Sequence, residues 1–170
     1  MGYREEDALQ VSKDGAFLVK EICVATNTPV SMHDFLPSTR PPRNLRVVVV
    51  DDLPEILELM VDVLEMIGRI DVVAVAHDGI EAVSAVQVYD PDLVIMDVNM
   101  PRMSGLNATL SIREMDAAAK ILIMSSEDGP DTRIAALDAG ADAFVSKENI
   151  VQNCRVQLRQ MFPEHYRTVH

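Results

Sequence analysis

Four short hydrophobic runs in this chain each stop on a polar residue of a particular kind. Val47–Val50 leads into Asp51 and Asp52, Leu93–Met96 into Asp97, Ile121–Met124 into Ser125, and Ala143–Ser146 into Lys147. Runs this short and continuously apolar suit strands buried on both faces, as in a parallel sheet. In an open parallel sheet the carboxyl ends of the strands lie along one edge, where such folds bind ligands. That edge would hold three carboxylates, a hydroxyl and an ammonium. The set suits Mg²⁺ together with a transferable phosphoryl group.

The intervening segments read as helices. Leu45–Val50 is the first strand, and Pro54 falls in the first turn of the next helix, where its missing N–H costs little. Ile56, Leu57, Met60, Leu64 and Ile67 recur at helical spacing until Gly68. Ile70–Ala76 reads as a strand, Gly79–Val88 as a helix, Leu93–Asp97 as a strand and Ser104–Met115 as a helix. Ile121–Ser125, Pro130–Ala139, Ala141–Ser146 and Asn149–Phe162 continue the alternation as strand, helix, strand and helix. Five strands alternating with five helices predict an α/β fold, a parallel sheet covered on both faces.

Residues 1–44 differ in character. Pro29, Pro37, Pro41 and Pro42 sit among Ser, Thr and Asn, which is linker chemistry. Gly15–Ala25 could form one short element, with too little around it to bury a core. Translation starting at Met32 is an alternative account of what precedes it. The expected organisation is an N-terminal extension (1–44), one domain (45–163) and a short C-terminal tail (164–170).

Composition narrows the function. The chain has 170 residues, 15 basic against 27 acidic, for a net charge of −12. Such a chain is repelled by nucleic-acid phosphates and by anionic membranes. Its two cysteines, Cys23 and Cys154, are far apart and make no disulfide framework. No apolar run approaches the roughly 18 residues of a membrane span, and no signal peptide is evident. A cytoplasmic location is expected. His33, His77, His165 and His170 show no zinc spacing, and His77 is expected in a strand-to-helix turn.

Val50-Asp51-Asp52, the segment from Asp97 through Asn99, Pro101 and Ser104 to Gly105, Ser125-Ser126, Gly140-Ala141 and Phe144-Val145-Ser146-Lys147 together resemble the receiver domain of two-component response regulators. The resemblance runs from about Leu45 to Phe162. It implies a doubly wound, flavodoxin-like five-stranded sheet in the order 2-1-3-4-5. It implies that Asp97 accepts a phosphoryl group from a sensor histidine kinase or phosphotransfer protein. Asp52, Asp97 and the backbone carbonyl of Asn99 would bind Mg²⁺ directly, with Asp51 acting mainly through water. Ser125 and Lys147 would contact phosphoryl oxygens, and Ser125 with Phe144 would form a switch. Asn99 and Glu127 would tune hydrolysis. A downstream protein target would dock on the fourth helix, fifth strand and fifth helix. Such a domain is a signalling phosphoacceptor rather than an enzyme, and a homodimer stays open.

Plainer roles exist for each residue. Asp51 and Asp52 could cap the helix at Pro54, Asp97 could be a turn residue, Ser125 could bond its own backbone, and Lys147 could be a solvated charge. Their coincidence along one edge argues against all of these at once. Phe144 stands where tyrosine is common in the family, Ser125 where threonine is, and Glu148 where proline is. A cis bond before Glu148 is not expected, since it would cost about 3 kcal/mol. Two other readings compete. One is the receiver part of a helix-turn-helix transcription regulator. The other is a phosphatase of the haloacid-dehalogenase type, whose second Asp two residues past the nucleophile is missing from Asp51-Asp52-Leu53-Pro54.

Overall fold

Side chains along a β-strand alternate between its two faces, so each hydrophobic run feeds two cores. In the computed structural model, which describes residues 43–166, Val48, Val50, Val94, Met96, Ile121 and Ile123 line one core. Val47, Val49, Leu93, Ile95, Leu122 and Met124 line the other. The expectations for residues 1–42 and 167–170, among them Gly15–Ala25, Met32, Cys23, His33 and His170, lie outside the described residues.

The elements are β1 (Leu45–Val50), α1 (Pro54–Ile67), β2 (Ile70–Ala76), α2 (Gly79–Tyr89), β3 (Leu93–Asp97), α3 (Gly105–Glu114), β4 (Lys120–Ser125), α4 (Pro130–Asp138), β5 (Ala143–Ser146) and α5 (Ile150–Met161). The strands form one parallel sheet in the order β2-β1-β3-β4-β5. Leu57, Met60 and Leu64 of α1 and Ile150, Cys154, Leu158 and Met161 of α5 close one core. Ala82, Ala85 and Val86 of α2, Ala108 and Ile112 of α3 and Ala136 of α4 close the other. The doubly wound arrangement and its strand order are therefore as expected.

Differences are confined to element ends. Ser104, read as the first residue of a helix, is instead its N-cap, its hydroxyl accepting the Asn107 N–H at 3.3 Å. Lys120 extends β4 by one residue, and Ala141 and Asp142 belong to the turn before β5. There Gly140 takes φ +101°, and the Ala141 N–H bonds the Ala136 carbonyl. Asn149 caps α5 from the left-handed region at φ 52°. Every described peptide bond is trans, including that before Glu148.

The chain is tied down beyond its regular elements. The Arg43 guanidinium forks onto the Asp92 carboxylate at 2.6 and 3.0 Å, and Asn44 donates to Asp71 at 2.8 Å. Part of the stretch expected as a tail is also packed. His165 is 7% exposed. Its Nε2 meets the Arg69 carbonyl at 2.9 Å, while the Arg69 guanidinium donates to the His165 carbonyl at 2.8 Å.

Candidate functional site at the carboxyl edge of the sheet

Register delivers the acidic residues to one place. Val50 pairs with Met96, so Asp51 and Asp97, each one step further on, leave adjacent strands together. Asp97 in turn pairs with Met124, and Ser125 with Ser146. The β1/β3 junction is where the strand order reverses, because β2 lies on one side of β1 and β3 on the other. Ligands of open α/β sheets bind at such a switch point.

At its centre is Lys147. Its ammonium lies 2.6 Å from Asp51 Oδ2 and 2.7 Å from Asp97 Oδ1. Both carboxylates are buried, Asp51 completely and Asp97 to 4% exposure. The Lys147 N–H donates to the Ser125 carbonyl at 2.8 Å. Asn153 of α5 donates to the carbonyls of Ser146 and Glu148 at 3.1 and 2.6 Å, holding the turn on both sides of Lys147.

Burial raises the Asp97 pKa and Asp51 repulsion adds to it, while Lys147 and the Asn99 N–H, 2.7 Å from Oδ2, pull it down; the net direction is up. For Lys147, burial is the largest single influence and acts downward. Its hydrogen bonds and attraction to the two carboxylates together outweigh burial, and its pKa is raised.

The other expected residues stand as follows. Asp51 Oδ1 accepts the Leu53 N–H at 3.1 Å, so this side chain braces the turn into α1 as well as holding Lys147. The helix itself starts without a side-chain cap. Asp52 is partly exposed and makes no hydrogen bond or ion pair to a described side chain. Ser125 is fully buried and its hydroxyl accepts the Glu127 N–H at 3.0 Å, the local bond its plainer role called for. Glu127 is exposed, and Phe144 is buried at 3% exposure.

Among the described residues no group of three Asp, Glu, His or Cys side chains stands close enough to hold a metal ion. The structure joins Asp51, rather than Asp52, to Asp97, and a lysine occupies the position between them. The donor chemistry nevertheless fits Mg²⁺, which takes oxygen ligands, keeps several waters and needs only one or two carboxylates when phosphate oxygens complete it.

The loop after β3 returns tightly to its start. The Gly105 N–H donates to the Val98 carbonyl at 2.9 Å, and a Cβ on Gly105 would collide with the Asp97 carbonyl oxygen. Only glycine admits this approach. Two arginines near the site escaped sequence reasoning. Arg102 pairs with Asp78 and Glu81, and Arg133 lies over the Phe144 ring at 4.7 Å while pairing with Asp128 at 3.0 Å. No spacing announces either. His77, expected in a strand-to-helix turn, is there, its Nδ1 3.1 Å from Glu81.

Comparison with known proteins agrees with this geometry. The family model described as the response regulator receiver domain matches residues 47–159. The response regulator MprA of Mycobacterium avium strain 104 is 35% identical over 124 residues, which are 71% of this chain and 54% of MprA. Protein-glutamate methylesterase/protein-glutamine glutaminase 1 of Methanospirillum hungatei JF-1 is 35% identical over 113 residues, 65% of this chain and 33% of that protein. The chain thus spans about half or less of the length of these curated relatives. Among solved structures, the signal receiver domain of NarL from Mycobacterium tuberculosis superimposes with a TM-score of 0.67 at 30% identity, covering 71% of this chain and 97% of that one. The response regulator domain of Thermotoga maritima CheB gives 0.63 at 27% identity, covering 75% and 100%. Among the described residues no helix is long and apolar enough to cross a membrane. Strand order, the acidic switch point and the family match over residues 47–159 lead to one conclusion: this chain belongs to the response regulator receiver domain family.

Proposed function

We propose that the domain is a phosphoacceptor in a two-component system, with Asp97 as the acceptor. The observation that carries this reading is the Lys147 ammonium shared by Asp51 and Asp97 in a nearly dry site. A phosphoryl group on Asp97 would bring negative charge beside a cation already in place, which is what phosphoryl transfer needs most. The donor would be a phosphohistidine on a sensor histidine kinase or a phosphotransfer protein. An Asp97 oxygen forms the new P–O bond as the P–N bond breaks, and the imidazole leaves. Mg²⁺ would be held by Asp52, Asp97 and the Asn99 carbonyl, with Asp51 acting mainly through water, and would supply charge neutralisation. Lys147 then exchanges a carboxylate for a phosphoryl oxygen.

Ser125 would turn its hydroxyl from the Glu127 N–H toward the phosphoryl group, and Phe144 would move into the space released. The face of α4, β5 and α5 would change and engage a downstream protein. Loss of phosphate requires water to attack phosphorus in line, past Asn99 and Glu127, releasing inorganic phosphate and the Asp97 carboxylate. Residues 45–163 would be the working unit, in the cytoplasm. MprA is about twice the length matched here, which favours a second reading: the same domain as part of a longer transcription regulator. Gene sequence beyond the codon for His170 separates the two.

Acetyl phosphate and Mg²⁺ should add one base-labile phosphoryl group, seen by mass spectrometry and absent from Asp97→Ala. Modification persisting in Asp97→Ala, or none in the wild type, rejects the assignment. Arginine at position 99 or 127 should slow phosphate release, and release at the wild-type rate would remove these residues from the mechanism.

A further inference from the structure

Arg102 lies five positions past Asp97 in sequence, and its guanidinium leaves the acceptor loop altogether. One terminal nitrogen donates to Glu81 Oε1 at 2.8 Å and pairs with Asp78 Oδ2. Asp78 is 1% exposed. Its other oxygen accepts the Glu81 N–H at 2.9 Å and caps α2, and Oδ2 accepts no hydrogen bond. The charge on that buried oxygen is therefore answered by Arg102. Glu81 is in turn held by His77, whose N–H donates to Oε2 at 2.9 Å.

The backbone repeats the connection. The Gly79 N–H donates to the Met103 carbonyl at 3.1 Å, and a Cβ on Gly79 would lie 2.6 Å from Met103 Cγ. Arg102 itself is at φ 61°, a left-handed conformation that a non-glycine residue keeps only where its surroundings impose it. The turn is closed around Arg102 by the Met103 N–H, which donates to the Pro101 carbonyl at 2.6 Å, inside the larger loop closed from Gly105 to Val98.

We infer that Arg102 is a positioning residue for the acceptor loop, clamping it to the β2–α2 turn through Asp78 and Glu81 and so fixing the Asn99 carbonyl beside Asp97. The inference rests on the reading of Asp97 as a Mg²⁺-dependent phosphoacceptor. Only two residues separate Asn99 from Arg102, and the Asn99 N–H is already bonded to Asp97 Oδ2. A shift at Arg102 thus reaches the metal-binding oxygens directly. Residues that orient metal ligands without touching the metal typically affect affinity by about 10–100-fold.

Arg102→Gly separates backbone from clamp, because glycine accepts φ 61° without strain while removing the guanidinium. Calorimetric titration of the protein with Mg²⁺ should show about tenfold weaker binding in this variant. The Mg²⁺ concentration for half-maximal phosphorylation by acetyl phosphate should rise equally, with the rate at saturating Mg²⁺ unchanged. The double variant Arg102→Gly/Asp78→Asn should bind no more weakly than Arg102→Gly, since both act through one contact. If Arg102→Gly does not fold, Arg102→Met, which keeps the aliphatic stem but not the cation, should still weaken binding several-fold. Wild-type Mg²⁺ affinity in whichever variant folds overturns the inference alone. Absence of Mg²⁺ binding by the wild type overturns the phosphoacceptor reading and this inference with it.

Discussion

Lys147 brings one positive charge between two carboxylates that scarcely touch water. Removing one partner of a buried ion pair leaves the other charge uncompensated, at a cost of about 3 kcal/mol or more. Lys147→Met should therefore lower the urea-unfolding free energy at pH 7 by about 3 kcal/mol, and a change near zero would deny the pairing any structural weight. Asp97→Asn should act oppositely. The Asp97 pKa is raised on folding from its ordinary 3.8. The folded protein therefore keeps this proton to higher pH than the unfolded chain, and the associated stability is present below pH 3.8 and lost as pH rises through the folded value. At pH 7 Asp97→Asn should shift the urea midpoint upward, and near pH 3 the shift should vanish. Much of this site was legible in the sequence, because Asp51, Asp97, Ser125 and Lys147 end apolar runs. Which of two adjacent aspartates meets the lysine was not legible, since that depends on which way each side chain leaves the strand. Arg102 and His165 were illegible for a related reason, their partners being distant in sequence, while Arg133 meets Asp128 five residues back, off any helical spacing.

At the level of elements, the strands were readable because β-branched runs buried on both faces have few alternative conformations. Helix and strand ends were less so, being set by single hydrogen bonds such as Ser104 to Asn107 and Ala141 to Ala136. The helices are unequally anchored. α5 buries Ile150, Cys154, Leu158 and Met161, whereas α4 buries only Ala136, and neither begins with a side-chain cap. Ile134 and Leu137 of α4 are about half exposed, at 56% and 48%. Arg133 adds its stacking on Phe144, worth about 0.5–1 kcal/mol at an exposed site. Local opening follows buried apolar contact, so α4 amides should exchange with deuterium well before those of α5, and earlier still in Arg133→Ala. Equal protection of the two helices would contradict this ranking. A loosely held α4 suits the face proposed to respond to phosphorylation.

Across the whole molecule, the far edge of the sheet is closed by a strap that sequence reading treated as a tail. His165 lies against the Gly68-Arg69 turn, with the Arg69 guanidinium and Asp92 as its charged neighbours. Burial lowers its pKa below the usual 6.5, and the Arg69 charge adds to this, while the Arg69 carbonyl and Asp92 oppose it. The unfolded chain then takes up the proton first as pH falls. The strap's contribution is complete above about pH 6.5 and is lost as pH drops from there through the folded value. Melting curves from pH 7.5 to 5 should show a fall that His165→Phe reduces, and an identical fall in that variant would acquit His165.

The position of β1 between β2 and β3 has a mechanical consequence. A load entering through Arg43, ahead of β1, and leaving at Asp128, past the opposite end of β4, runs along the strands and loads the β1–β3 and β3–β4 ladders in shear. A load between Arg43 and Phe162 is different, because both line one cavity of about 490 Å³ at the same end. It can peel α5 away without sliding any strand. Forced unfolding is governed by the barrier along the pulling direction, so optical-tweezer traces should give the higher rupture force for the first pair of handles. A proteolytic motor drawing on the chain ahead of residue 43 would thus meet the domain at its most resistant strand.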